Sequence, residues 1–85
     1  MSKATKLLIR FLAKPKDFTF AELATLLSQM GYHEAKGGKT SGSASSFIND
    51  KTHHIIRLHK PHPNPELKRY QLNDIEEELK KKGLI

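Results

Sequence analysis

Cysteine is absent from this 85-residue chain, which excludes disulfides and thiolate metal sites as sources of stability or chemistry. Long apolar runs are missing too: Leu7-Leu8-Ile9 falls far short of the ~20 residues that cross a bilayer. The opening Met1-Ser-Lys-Ala-Thr-Lys6 has neither the sustained apolar region nor the small-residue cleavage site of a signal peptide. The expectation is a cytoplasmic protein with no membrane partner. Aromatic residues make up 7% of the chain, so base stacking is expected to be a weak part of any nucleic-acid contact. Acidic residues are scarce, nine against fifteen Lys and Arg, for a net charge of +6. That balance favours an anionic partner, most often nucleic acid. A lysine-rich surface without a ligand is the plain alternative, and the distribution of charge decides between them. Acids gather at Asp74, Glu76, Glu77 and Glu78, whereas Arg57 to Arg69 is basic apart from Glu66.

What is present fits one small domain spanning residues 1–85. Ala4, Leu7, Leu8, Phe11 and Leu12 recur at helical spacing, and Lys14-Pro15-Lys16-Asp17 ends that helix. Thr19-Phe-Ala-Glu22 has the form of a capping box, and Phe20, Leu23, Leu27 and Met30 continue one face until Gly31 stops it. Tyr32 to Lys36, Ala44 to Ile48 and His54 to Leu58 read as three strands. In the third, Ile56 and Leu58 alternate with Arg57 and His59, so a core-facing Ile56 puts Arg57 and His59 on the open face. His53 and His54 read as strand-end surface residues and His33 as incidental. Leu72, Ile75 and Leu79 support a last helix closed by Gly83, with Glu76, Glu77 and Glu78 each four residues before a lysine on a solvated face. The expected class is α+β, in the order α-α-β-β-β-α.

Chemistry concentrates in Ile56-Arg-Leu-His-Lys-Pro-His-Pro-Asn-Pro-Glu-Leu-Lys-Arg69. Imidazoles exchange protons near neutral pH, lysine and arginine attract phosphate, and three prolines stiffen the turn that carries them. RNA cleavage without a metal needs a base for the ribose 2′-OH, an acid for the leaving 5′ oxygen and a cation for the phosphorane. His59 and His62 are the candidates for the first two roles, and Lys60 or Arg57 for the third. The competing reading makes both histidines structural, bonded to the backbone of the turn. His59-x-x-His62 offers two nitrogen ligands where zinc usually takes three or four from protein, and no metal or cofactor is expected. Gly37-Gly-Lys-Thr-Ser-Gly-Ser43 resembles a phosphate-binding loop, yet lacks the glycine spacing of a nucleotide P-loop; a plain hairpin loop stands beside that reading. Lys36, Lys39, Ser43, Arg57, Lys60, Lys68 and Arg69 are the candidate RNA contacts. Their binding would be salt-sensitive and weakly sequence-selective.

Several local sequences, in order, resemble the HicA-type toxins of bacterial toxin–antitoxin pairs. Thr19-Phe-Ala-Glu-Leu23 running to Met30-Gly-Tyr32 is similar to their first family helix. Gly42-Ser43 followed by Phe47 resembles a Gly-Ser-His-x-x-Phe strand entry. Leu58-His-Lys-Pro-His-Pro63 with Glu66-Leu-Lys68 resembles a His-Pro-Gly turn and its Glu-Leu, and Lys82-Gly-Leu84 a Gly-Leu ending. The match covers residues 18–85, leaving 1–17 as a helical extension. The resemblance implies a double-stranded-RNA-binding-like fold, with a three-stranded antiparallel sheet packed on helices. It further implies an mRNA-cleaving, translation-inhibiting ribonuclease neutralised by a HicB-type antitoxin, with mRNA and that antitoxin as partners.

The family's catalytic histidine belongs to the Gly-Ser-His motif, and the matching position is Ala44. A methyl group cannot transfer a proton. Three readings stay open: His59 or His62 does the work, the chain is an inactivated RNA- and antitoxin-binding variant, or it belongs to a branch that only binds. A DNA-binding pair of N-terminal helices is disfavoured, because the basic residues lie elsewhere.

Overall fold

The computed structural model describes residues 3–35, 44–61 and 64–85. Its elements follow the expected order: α1 (Lys3–Leu12), α2 (Phe20–Gln29), β1 (Tyr32–Ala35), β2 (Ala44–Asn49), β3 (Ile55–His59) and α3 (Arg69–Lys81). α1 stops where Lys14 turns into the left-handed region at φ 52°, and the N–H groups of Ala13 and Lys14 donate to the Ile9 and Phe11 carbonyls. Phe11 is fully buried and meets Phe18 edge-on at 5.7 Å between ring centroids, so α1 contributes directly to the core.

α2 begins with the capping box its sequence announces. Thr19 Oγ1 accepts from the Glu22 N–H at 3.1 Å, and a Glu22 carboxylate oxygen accepts from the Thr19 N–H at 3.0 Å. The same carboxylate takes Arg10 Nε at 2.9 Å, which ties α1 to the first turn of α2. Gly31, at φ 95°, supplies the left-handed exit into β1. At the far end of the chain Gly83, at φ 71°, closes α3. The N–H groups of Gly83 and Leu84 donate to the Lys80 and Leu79 carbonyls there, a Schellman pattern.

The sheet is antiparallel in the order β1-β2-β3. Phe47 stands opposite Ile56, and both are buried under α2 and α3 with Leu23, Leu26, Leu27, Leu72, Ile75 and Leu79. Buried Asn49 fixes the β2–β3 turn: its amide donates to the Met30 carbonyl, and its side-chain oxygen accepts from the N–H groups of Lys51 and Thr52. One further link shapes the surface. Thr19 and Glu66 form an isolated antiparallel bridge, with Leu67 N–H donating to the Phe18 carbonyl and Phe20 N–H to the Pro65 carbonyl. The α1–α2 connection is thereby held beside the approach to α3.

The charged face of α3 is less solvated than its i, i+4 spacing predicts. Glu76 bonds Lys80 at 3.0 Å as expected, but also Lys14 from the α1–α2 connection, and only 15% of its side chain is exposed. Glu78 bonds His54 at 2.9 Å and Lys81 at 3.7 Å, the latter an i, i+3 pair. Burial of α3 against the sheet and the α1–α2 connection brings these tertiary partners within reach.

Three glutamates are consequently held below the ordinary carboxylate range. The hydrogen bond from Arg10 does so for Glu22, that from Lys14 for Glu76 and that from His54 for Glu78. Each binds its proton less readily folded than unfolded, so the unfolded chain takes up more protons as pH falls. The stability they contribute is complete above the unfolded value near 4.3 and is lost as pH falls through the lower folded values. Melting followed by circular dichroism is expected to show a midpoint that drops below about pH 4.3, with a smaller drop in Glu76→Gln.

Candidate functional site

β3 builds the site by alternation. Ile56 is buried and Leu58 packs on the core, which turns Arg57 and His59 to the opposite face, where both are exposed. Register then sets their neighbours: His59 is the Cα partner of position 44, and Arg57 that of Ser46. Directly opposed residues share a face, with Cα atoms about 4.5–5.5 Å apart. His59 therefore occupies the cross-strand position beside the place where Ala44 stands. Its backbone is anchored as well, because the His59 carbonyl accepts from Gln71 Nε2 at 3.0 Å, while Gln71 Oε1 accepts from the Lys68 N–H at 3.0 Å. Buried Gln71 thus joins the end of β3 to the start of α3.

Beyond β3 a cleft of about 770 Å³ opens between the α1–α2 connection and the start of α3. Lys14, Lys16, Lys60, Lys68 and Arg69 line it with His59, against one acid, Glu66. Lys14 is neutralised by Glu76. Lys60 lies 3.7 Å from the Glu34 carboxylate and 5.4 Å from the centroid of Phe20, which steadies its ammonium at the rim. The first turn of α3 holds no acid, although a helix N-terminus favours negative charge. Lys68 and Arg69 place positive charge there instead, an arrangement that an anion in the cleft offsets.

The candidate RNA contacts are therefore divided. Lys60, Lys68 and Arg69 meet His59 in the cleft. Arg57 shares the open face with His59 but borders a separate hollow with Asp74, Glu77 and Glu78, so its local field is acidic. Lys36, Lys39, Ser43 and His62 lie outside the described residues. Among the described residues, no group of three or more His, Cys, Asp or Glu side chains is arranged to hold a metal ion.

His54 is not the surface residue its place at a strand end suggests. Its side chain is only 10% exposed. Nδ1 lies 2.7 Å from the Tyr32 hydroxyl and Nε2 lies 2.9 Å from Glu78, linking β1 to α3. Burial pushes the Tyr32 phenol up, and the nearby Glu78 charge adds to this. Tyr32 is 2% exposed, and these bonds tie the strands to α3.

Sequence reasoning missed Lys14, Lys16 and Tyr70 as cleft residues. Two lysines flanking Pro15 were a local signal, but the bridge between Thr19 and Glu66 and the Lys14–Glu76 pair are what hold them beside α3.

Comparison with known proteins gives one finding. The model of the family described as HicA toxin of bacterial toxin–antitoxin matches residues 20–84. No curated protein and no solved structure matches the chain. The matched span includes β2, β3, His59 and the α3 wall of the cleft, whereas Lys14 and Lys16 precede it.

Proposed function

Because this chain belongs to the HicA toxin family of bacterial toxin–antitoxin systems, we propose that it is an endoribonuclease that cleaves mRNA and is neutralised by a HicB-type antitoxin. The observation that carries this reading is the cross-strand pairing of His59 with position 44 at the mouth of a basic cleft. In this reading an imidazole on the neighbouring strand takes the place of the missing one. His59 accepts the proton of a ribose 2′-OH. The 2′ oxygen bonds to phosphorus, the bond to the 5′ oxygen breaks, and a 2′,3′-cyclic phosphate and a 5′ hydroxyl remain. His62, the second imidazole of the turn, is assigned the proton that the 5′ oxygen takes up. Lys60 offsets the phosphorane charge, and Lys68 and Arg69 hold flanking phosphates. The step uses acid–base groups of the chain alone.

A second reading is favoured by Ala44 itself: a chain that binds RNA and antitoxin without cleaving. The two separate in one experiment. Purified protein incubated in excess EDTA with a fluorophore–quencher RNA should release signal and leave cyclic-phosphate ends. Induction without antitoxin should arrest growth with loss of mRNA, and co-expression of a cognate HicB-type antitoxin should relieve it. Intact RNA and unimpaired growth, with RNA binding retained, would establish the binding reading instead. An antitoxin that blocks this site must cover a basic cleft, which an acidic surface does most simply.

A further inference from the structure

We infer that Tyr70 is a base-stacking platform and that the RNA strand in the cleft is unpaired where it crosses the start of α3. The inference rests on the cleft being the RNA site proposed above, and it goes beyond that reading by naming the state of the substrate. It starts from where the aromatic residues are. The chain has four Phe and two Tyr. Phe11, Phe18, Phe47 and Tyr32 are buried, and Phe20 packs against the core with Lys60 over its ring. Tyr70 alone stands outside the core, 61% exposed, and it lines the cleft beside Lys68 and Arg69.

The fold does not explain Tyr70. α3 buries Gln71, Leu72, Ile75 and Leu79, and Tyr70 lies off that stripe. A large apolar ring left in water forgoes the burial that would stabilise it, while alternation of cations with an exposed aromatic is what a single strand uses: charges for the backbone, a flat face for a base. In a duplex the base faces are already stacked on one another and only edges and backbone are offered. Stacking on the ring of Tyr70 needs a base free of its partner.

The test is fluorescence anisotropy with a labelled 12-nucleotide RNA, 2′-O-methylated throughout so that no cleavage occurs, as a single strand and as the matching duplex. Tyr70→Ala should weaken single-strand binding by roughly 5- to 150-fold, the range alanine substitution gives for one stacked base, and leave duplex binding unchanged. Tyr70→Phe should bind as the wild type does, whereas Tyr70→Leu, which keeps apolar surface without the π-face, should resemble Tyr70→Ala. Alanine is the best helix former, so circular dichroism should show the fold intact. Equal losses on both RNAs, or Tyr70→Leu binding like wild type, would overturn stacking. Unchanged binding by Tyr70→Ala would overturn it too. If wild-type protein binds neither RNA, the cleft is not an RNA site and both readings fall. Normal wild-type binding with an inert Tyr70 removes this inference alone.

Discussion

His59→Ala is expected to slow RNA cleavage by roughly 10²- to 10⁴-fold, the usual contribution of a positioned acid–base group, with little change in melting temperature. The structure uses His59 for its backbone, through the β2–β3 ladder and the carbonyl that accepts from Gln71, and alanine retains both. The imidazole itself is exposed and makes none of the hydrogen bonds or ion pairs found among the described residues. Affinity for 2′-O-methylated RNA should also fall little, because the phosphate contacts are assigned to Lys60, Lys68 and Arg69 in the proposed site. The signature is thus a loss confined to the chemical step. A variant that cleaves at the wild-type rate would remove His59 from catalysis, and one that melts early would make it a structural residue.

Much of the frame behind that expectation is legible in local sequence because its causes are local. The Thr19–Glu22 capping box, the left-handed glycines at 31 and 83, and the alternation of Ile56 and Leu58 with Arg57 and His59 all formed as patterned. At His54 two local signals point in opposite directions. Its parity with Ile56 and Leu58 already placed it on the core side, yet its position at a strand end suggested exposure. α3 extends past that end and covers it with Glu78. The cleft was legible only on one wall. Lys14 and Lys16 precede His59 by more than forty positions, and they arrive opposite α3 through an isolated bridge that no periodicity encodes. Arg57 fails in the other direction. Two residues from His59, it shares the sheet face but faces the acids of α3, a neighbourhood decided by helix placement rather than by strand alternation.

Ala44→His in the His59→Ala background is the reciprocal expectation: cleavage should return to within about tenfold of wild type, a recovery as large as one acid–base group supplies. The reason is register. Positions 44 and 59 are Cα partners in β2 and β3, and opposed side chains on one sheet face reach overlapping volumes. If the proposed step holds, an imidazole offered from either strand meets the same 2′-OH, and a histidine at position 44 can replace His59 as the proton acceptor. The single variant Ala44→His separates the remaining possibility. If wild-type protein is inert and Ala44→His alone acquires cleavage that survives His59→Ala, then the chain is an inactivated toxin and His59 never served. If wild type cleaves, His59→Ala does not and the double variant does, one proton-transfer role has moved across the sheet from β2 to β3. A double variant that folds and binds RNA yet stays inert would show that position 44 cannot deliver an imidazole to this cleft, and the cross-strand replacement would fail with it.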